Sequence, residues 1–81
     1  MPKRKSIGNE NVVGQNIVLL RKHRKMKQGQ LLSQLQVRGI DISQSALSDI
    51  EGQHRKVSDR ELLALAKSLD VRVDELLKRD E

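Results

Sequence analysis

Hydrophobic residues recur in this chain at spacings of three and four, in blocks separated by polar residues. Such spacings place apolar side chains along one face of a helix. No stretch alternates apolar and polar residues for long enough to predict a strand. The pattern therefore predicts an all-α fold of five helices, over about 11–25, 28–37, 43–51, 58–69 and 74–78.

The apolar positions of these blocks predict the core. The side chains expected to pack are Val13, Ile17, Leu20, Leu31, Leu32, Leu35, Ile40, Ile42, Ala46, Leu47, Ile50, Leu62, Leu63, Leu65, Ala66, Leu69, Leu76 and Leu77. Phe, Tyr and Trp are absent. This absence counts against single-stranded and RNA-binding modes that stack bases on aromatic rings.

End signals support several of the helix boundaries. Ser43 is suited to cap the third helix, because its hydroxyl can accept a free N–H group of the first turn. Ser58 and Glu61 have the spacing of a capping box at the start of the fourth helix. Gly39 is suited to the left-handed position that ends the second helix. Asp74 would place negative charge in the first turn of the last helix.

The length and the charge narrow the class of protein. The 81 residues provide room for one domain, and a formal net charge of +5 favours attraction to phosphate polyanions. There is no cysteine, so neither a disulfide nor a thiolate metal site is expected. No apolar run reaches the length of a membrane span. We expect a cytoplasmic protein that does not enter membranes.

The distribution of charged and apolar residues divides the chain into three parts. Residues 1–10 are basic and poor in residues that pack, so we expect a flexible basic arm there. Residues 11–78 form the helical domain, and residues 79–81 form a short tail. The arm could lie along phosphates or in a minor groove, or it could serve only as a solubilising tail.

The third predicted helix has a polar outer face. Gln44, Ser45, Ser48 and Asp49 lie opposite its apolar side. Short side chains rich in donors and acceptors can read base edges in a major groove. A face of this kind can equally be solvated, as it is on most amphipathic helices. Periodicity alone does not choose between these two interpretations.

Signatures of an enzyme are missing. His23 and His54 lie among basic residues and are far in sequence from a set of metal ligands. There is no glycine-rich phosphate loop. Five short helices leave little room for a pocket that excludes water. We therefore expect no catalysis, no metal, no cofactor and no small-molecule ligand.

Matches in order along the chain carry a resemblance to a known family. They are Ile17 to Arg21, Met26-Lys27-Gln28, Leu31, Ile42-Ser43, Leu47 to Glu51, and Val57 to Leu77. The chain resembles the lambda-repressor-like (Cro/repressor, XRE-type) helix-turn-helix family over nearly everything after the basic arm. This resemblance implies a five-helix DNA-binding domain, with the second helix of the motif placed in the groove.

The resemblance also implies roles for individual residues. Base reading would fall to Gln44, Ser45, Ser48 and Asp49, and phosphate binding to Lys27, Gln28, Gln53, His54, Arg55 and Lys56. A helix N-terminus attracts a phosphate through its free N–H groups and its dipole. An ion pair between Arg21 and Glu51 would hold the third helix against the first.

Four features depart from the family pattern. The stretch from Gln28 to Gln44 is about five residues longer than in compact members, which predicts an extended turn between helices 2 and 3. Leu32 stands where a small residue is usual. Gly52 comes one position early, so that Gln53 occupies the usual glycine position. Arg72 replaces a capping residue.

Two classes of function follow. The first is a sequence-specific regulator that binds double-stranded DNA, expected as a homodimer with the last helix as the candidate interface. Leu76 and Leu77 could serve that interface or could simply belong to the core. The second class is a protein-interaction module, antitoxin-like or bridging, with only weak and nonspecific binding to DNA. Steep salt dependence and strong sequence preference would distinguish the first from the second.

Overall fold

Five helices and no strands make up residues 12–78, the part of the chain that the computed structural model describes. The helices are α1 (Val13–His23), α2 (Gln28–Val37), α3 (Gln44–Glu51), α4 (Asp59–Leu69) and α5 (Val73–Leu76). The predicted all-α class and the number of helices are confirmed. None of these helices is long and apolar enough to cross a membrane. The arm expected at 1–10 and the tail expected at 79–81 lie outside the described residues.

The core consists of aliphatic side chains from all five helices and from the connection between α2 and α3. Its buried members are Val13, Ile17, Leu31, Leu35, Ile40, Ile42, Leu47, Ile50, Ala64, Leu65, Ala66, Leu69 and Leu76. Within this core α1 packs against α3, α4 and α5, and α2 packs against α3 and α4. The helices therefore support α3 from one side and leave its other side exposed.

The third helix is fixed by its cap and by its apolar side. The Ser43 hydroxyl accepts a hydrogen bond from the Ala46 N–H at 3.1 Å, as the sequence predicted. Leu47 and Ile50 are fully buried, and Ala46 packs partly buried against the same core. Burying two such side chains stabilises the fold by about 1.5–3 kcal/mol each. This burial determines which face of α3 points outward.

The connection between α2 and α3 is long, as predicted. Gly39 follows the end of α2 with a φ of +88°, the left-handed conformation expected there. Ile40 and Ile42 are then buried, with 7% and 6% of their surface exposed. The two isoleucines therefore anchor the extended turn to the core.

Four helices end in the same backbone motif. A residue with positive φ follows each of α1 to α4, and the next N–H donates to a carbonyl five residues back, at 2.8 or 2.9 Å. The left-handed residues are Lys25, Gly39, Gln53 and Asp70. This is the Schellman arrangement, in which the last carbonyls of a helix are satisfied by the turning chain.

The last helix differs from the prediction. It begins at Val73 and ends at Leu76, whereas the sequence predicted a helix from Asp74 to about Lys78. The Asn16 amide on α1 donates to the carbonyls of Leu76 at 2.7 Å and of Lys78 at 2.8 Å. These carbonyls are thus satisfied from outside the helix, and α5 need not continue.

Two leucines expected to pack are exposed instead. Leu63 is 54% exposed, because at about 100° per residue it lies roughly 120–160° around α4 from the buried Leu65 and Leu69. Leu77 is 44% exposed, whereas its neighbour Leu76 is fully buried. The sequence left open whether this pair belongs to the core or to a dimer interface. In the structure Leu76 belongs to the core, and Leu77 faces outward.

Candidate nucleic-acid interface

The side chains predicted to read bases all lie on the outer face of α3. Gln44, Ser45, Ser48 and Asp49 are exposed, while Leu47 and Ile50 hold the opposite face in the core. An α-helix with its side chains is about 10–12 Å across. The polar outer face of α3 can therefore enter a major groove about 12 Å wide.

Gln28, the first residue of α2, connects that helix to α3. Its Nε2 donates to Ser48 Oγ and to Glu51 Oε1, both at 3.2 Å. Its Oε1 accepts from Gln44 Nε2 at 3.2 Å. The start of α2 and the outer face of α3 therefore form one exposed polar surface.

An ion pair between α1 and α3 lies behind this surface. Arg21 Nε donates to Glu51 Oε2 at 2.9 Å, and Arg21 Nη2 donates to Glu51 Oε1 at 3.0 Å. The two side chains are 14% and 9% exposed, so water screens the pair little. The remaining guanidinium nitrogen, Nη1, donates to the Met26 carbonyl at 3.0 Å. Two parallel bonds fix the angle as well as the distance between the partners.

The N-terminus of α2 is open toward the same surface. Lys27 precedes the helix and gives no side-chain acceptor to the N–H groups of the first turn. Gln30 reaches back and accepts from the Lys27 N–H at 2.8 Å, which holds the turn in shape. Free N–H groups at a helix start, beside the exposed Lys27 ammonium, favour an anion.

The loop after α3 contains a left-handed backbone position that is occupied by a residue other than glycine. Gln53 has a φ of +65°, the left-handed conformation that the usual glycine would adopt. Gly52, one position earlier, has an ordinary φ of −86° and lies against the His54 ring. A Cβ there would lie 2.8 Å from Cδ2 of His54. The shift of the glycine therefore lets the His54 ring lie close to the helix end.

Arg55 is engaged within the protein. Its Nη1 and Nη2 donate to the two carboxylate oxygens of Glu61 at 2.9 and 2.8 Å, and Nη1 also donates to the Lys56 carbonyl at 2.9 Å. The hydrogen bonds from Arg55 lower the pKa of Glu61 to about 2, against the opposing effect of burial. The same hydrogen bonds raise the pKa of Arg55.

Glu61 also completes the capping box of α4. The Ser58 hydroxyl accepts from the Glu61 N–H at 3.2 Å, and Glu61 Oε1 accepts from the Ser58 N–H at 2.9 Å. The sequence predicted this box but did not connect Glu61 to Arg55. The guanidinium therefore ties the loop to the start of α4, and any phosphate bound there would share it with this carboxylate.

The structure thus sorts the predicted site residues into groups. A single hydrogen-bonded network contains Arg21, Gln28, Gln44, Ser48 and Glu51. The Arg55 side chain is directed to Glu61 instead. The contact between Gln28 and Glu51 was not predicted, and no spacing in the sequence indicates it, because the two residues belong to different helices.

Comparison with known proteins agrees with this geometry. A family model of the Cro/C1-type HTH DNA-binding domain matches residues 16–81. The chain belongs to this family. The resemblance seen in the sequence is confirmed, and with it the lambda-repressor-like fold.

A solved structure resembles this chain over most of its length. It is the restriction-modification controller protein C.AhdI from Aeromonas hydrophila, with a TM-score of 0.73 and 26% sequence identity. The match covers 86% of this chain and 98% of that one. No curated protein sequence matches the chain. Membership of the Cro/C1 family makes the chain a DNA-binding transcriptional regulator, which confirms the leading function expected from the sequence.

Proposed function

We propose that this regulator recognises specific sequences in double-stranded DNA by placing α3 in the major groove. One observation carries the proposal: the half-buried Gln28, at the start of α2, is hydrogen-bonded to the exposed Gln44 and Ser48 on the outer face of α3. An interaction surface for another protein would favour exposed apolar or aromatic anchors at its centre. The outer face of α3 offers amides, hydroxyls and a carboxylate instead.

Base reading is assigned to the outer face of α3. The Gln44 amide has the donor and acceptor needed to pair with an adenine edge. The Asp49 carboxylate can accept from a cytosine amino group, and the hydroxyls of Ser45 and Ser48 suit several bases. The exposure of all four side chains supports this assignment.

Phosphate binding is assigned to both sides of α3. On one side are Lys27 and Gln28 at the open N-terminus of α2, and on the other are Gln53, His54, Arg55 and Lys56 in the loop after α3. Within this loop we give Arg55 a second role, because its bonds to Glu61 shape the segment that presents its neighbours. Contacts of this kind position a protein on DNA without reading its sequence.

The mechanism would be occupancy of a promoter, which blocks or recruits polymerase. No cofactor or small molecule is required for it. We also propose a homodimer formed around the end of α5, where Leu77 is exposed beside the buried Leu76. Two copies would then bind two half-sites about one helical turn apart. A cytoplasmic location follows from DNA as the ligand, and the arm of residues 1–10 stays a prediction.

Selection of bound sequences from a random duplex pool tests the proposal. We expect the wild-type chain to enrich one motif and to hold it about 10³-fold or more above bulk DNA. Gln44→Ala should relax the preference at one position of that motif, at a loss of about 1–3 kcal/mol on the preferred duplex. Unchanged selectivity would remove Gln44 from the reading residues.

The competing class is the protein-interaction module. If wild-type binding proved weak, sequence-blind and nearly independent of salt, that class would replace the regulator proposed here. Family membership and the polar face of α3 favour the regulator.

A further inference from the structure

The hydrogen-bonded network around Gln28 contains one side chain that can only accept hydrogen bonds. Glu51 is a carboxylate held by Arg21, so it offers acceptors only. Whichever amide atom of Gln28 faces it must be the nitrogen, because an oxygen there would oppose another oxygen. The distance of 3.2 Å from Gln28 Nε2 to Glu51 Oε1 has this polarity.

The orientation of Gln28 determines that of Gln44. With its nitrogen toward Glu51, Gln28 turns its Oε1 outward, where Gln44 Nε2 donates to it at 3.2 Å. Gln44 could not place its own oxygen at that position. The hydroxyl of Ser48, which also contacts the Gln28 amide, can donate or accept and so imposes no polarity.

Gln44 is left with one hydrogen-bond donor and one acceptor that can face a base. One N–H of its amide is used by Gln28, so the other N–H and Oε1 remain for DNA. Adenine presents an acceptor and a donor in the major groove, N7 and the N6 amino group, and this pair matches the remaining atoms. Guanine presents two acceptors, N7 and O6, which would require two free donors.

We propose that Glu51 is a positioning residue for base recognition: through Gln28 it fixes the amide of Gln44 so that α3 prefers adenine to guanine. The ion pair with Arg21 thus holds α3 in place and also sets the polarity of a base-reading side chain. This inference rests on the proposed function, since it requires that α3 read bases. It goes further in naming the residue that fixes the orientation of the Gln44 amide and thereby imposes the choice between adenine and guanine.

Two substitutions test whether the polarity of the Gln28 amide, and not only the structural support of α3, determines the choice of base. Gln28→Met keeps the length of the side chain and removes its amide. Glu51→Gln keeps an acceptor for Arg21 but lets either atom of the new amide face Gln28. Gln36→Met, an exposed position near the other end of α2, is the matched control. Each variant is checked by thermal unfolding and then used in selection from the same random duplex pool.

The wild type and the control should both prefer adenine to guanine at the position that Gln44→Ala relaxes, by about 5- to 150-fold, the range of one bidentate pair. With Gln28→Met and Glu51→Gln this ratio should fall toward one, while preferences at the other positions stay. A loss of phosphate contact or of stability would lower affinity for all duplexes alike and would not move this ratio.

The outcomes are distinct. Adenine preference that survives both substitutions overturns the inference and leaves the proposed function intact. A wild-type preference for guanine at that position does the same. If the wild-type chain enriches no sequence, the proposed function fails and the inference fails with it.

Discussion

At the scale of single residues, the left-handed positions after the helices carry a conformational cost. Lys25, Gln53 and Asp70 have φ values of 56°, 65° and 57°. The left-handed region costs a residue with a Cβ roughly 1–2 kcal/mol, whereas glycine adopts it freely. Because each of these residues completes a Schellman turn, the backbone bonds of the turn must offset that cost.

Replacing Lys25 with glycine should therefore stabilise the protein. We expect Lys25→Gly to raise the free energy of unfolding by about 0.5–1 kcal/mol, after the greater freedom of glycine in the unfolded chain is subtracted. Urea denaturation measures the change. Lys22→Gly, which makes the same substitution inside α1, is the control and should destabilise by about 1 kcal/mol. If both variants lose stability equally, Lys25 is not strained.

At the same scale, the sequence could identify only one of the four left-handed residues. Gly39 is a glycine at the end of an apolar block, so its conformation was predicted. Lys25 stands in a basic run whose charges already suit a helix end, and nothing in its type indicates positive φ. The displaced glycine did draw attention to Gln53, although the sequence could not show that the His54 ring lies against Gly52.

At the scale of elements, the pair of Arg55 and Glu61 couples the loop after α3 to α4. The pKa of Glu61 is lowered from 4.5 to about 2, chiefly by hydrogen bonds from Arg55. A carboxylate whose pKa is lower in the folded state stabilises the fold above its unfolded pKa. This contribution is lost as the pH falls through the folded value. The relevant window therefore runs from about pH 4.5 down to about pH 2.

Glu61→Gln isolates this contribution, because glutamine can still complete the capping box. We expect the wild type to be more stable than the variant at about pH 6. The difference should shrink steadily between about pH 4.5 and pH 2, as measured by chemical denaturation at each pH. Glu75→Gln, at an exposed position, is the control and should show a much smaller change. A difference that stays constant with pH would mean that the ion pair does not stabilise the fold.

Elements were predictable where the signal lies within one segment. Ser43 and the stripe of Leu47 and Ile50 identified α3, and the capping box identified the start of α4. The end of α5 was not predictable, since it depends on Asn16, which is sixty residues from the carbonyl of Leu76 in sequence. Periodicity carries no information about such contacts between distant segments.

At the scale of the whole molecule, the proposal predicts that the effect of a positive charge on DNA binding depends on where the charge lies. Lys27 lies at the N-terminus of α2, beside the network on α3. Lys67 lies near the other end, because its neighbour Ser68 accepts from Arg38 after the last turn of α2. The ten residues of α2 separate these two ends by about 15 Å. The two lysines therefore test whether binding is confined to one side.

Lys27→Ala should weaken binding to all duplexes alike and reduce the slope of log affinity against log salt by about one unit. Lys67→Ala should leave this slope unchanged. Titration of a duplex between about 0.05 and 0.2 M salt gives both slopes. Equal slopes for the two variants would show that the positive charge acts as a general field, and α2 would then lose its place in the interface.

The proposed homodimer is tested best through the DNA that it binds. Leu77 is 44% exposed beside a buried neighbour, so Leu77→Lys should disturb a partner's surface without opening the core. We expect this variant to bind a duplex with one half-site as the wild type does. It should lose about tenfold or more on a duplex with two half-sites, because linked binding of two copies multiplies their affinities.

Leu63→Lys provides the comparison, since Leu63 is a second exposed leucine on a different helix, α4. Analytical ultracentrifugation with each duplex counts the copies bound. If Leu63→Lys abolishes the advantage of the second half-site and Leu77→Lys does not, the copies meet through α4 instead of the end of α5. If neither substitution matters and one copy binds each duplex, the protein acts as a monomer. The sequence could not assign Leu77 to the outer surface, because it presented Leu76 and Leu77 as equivalent. The packing of α5 against α1 and α4 separates them.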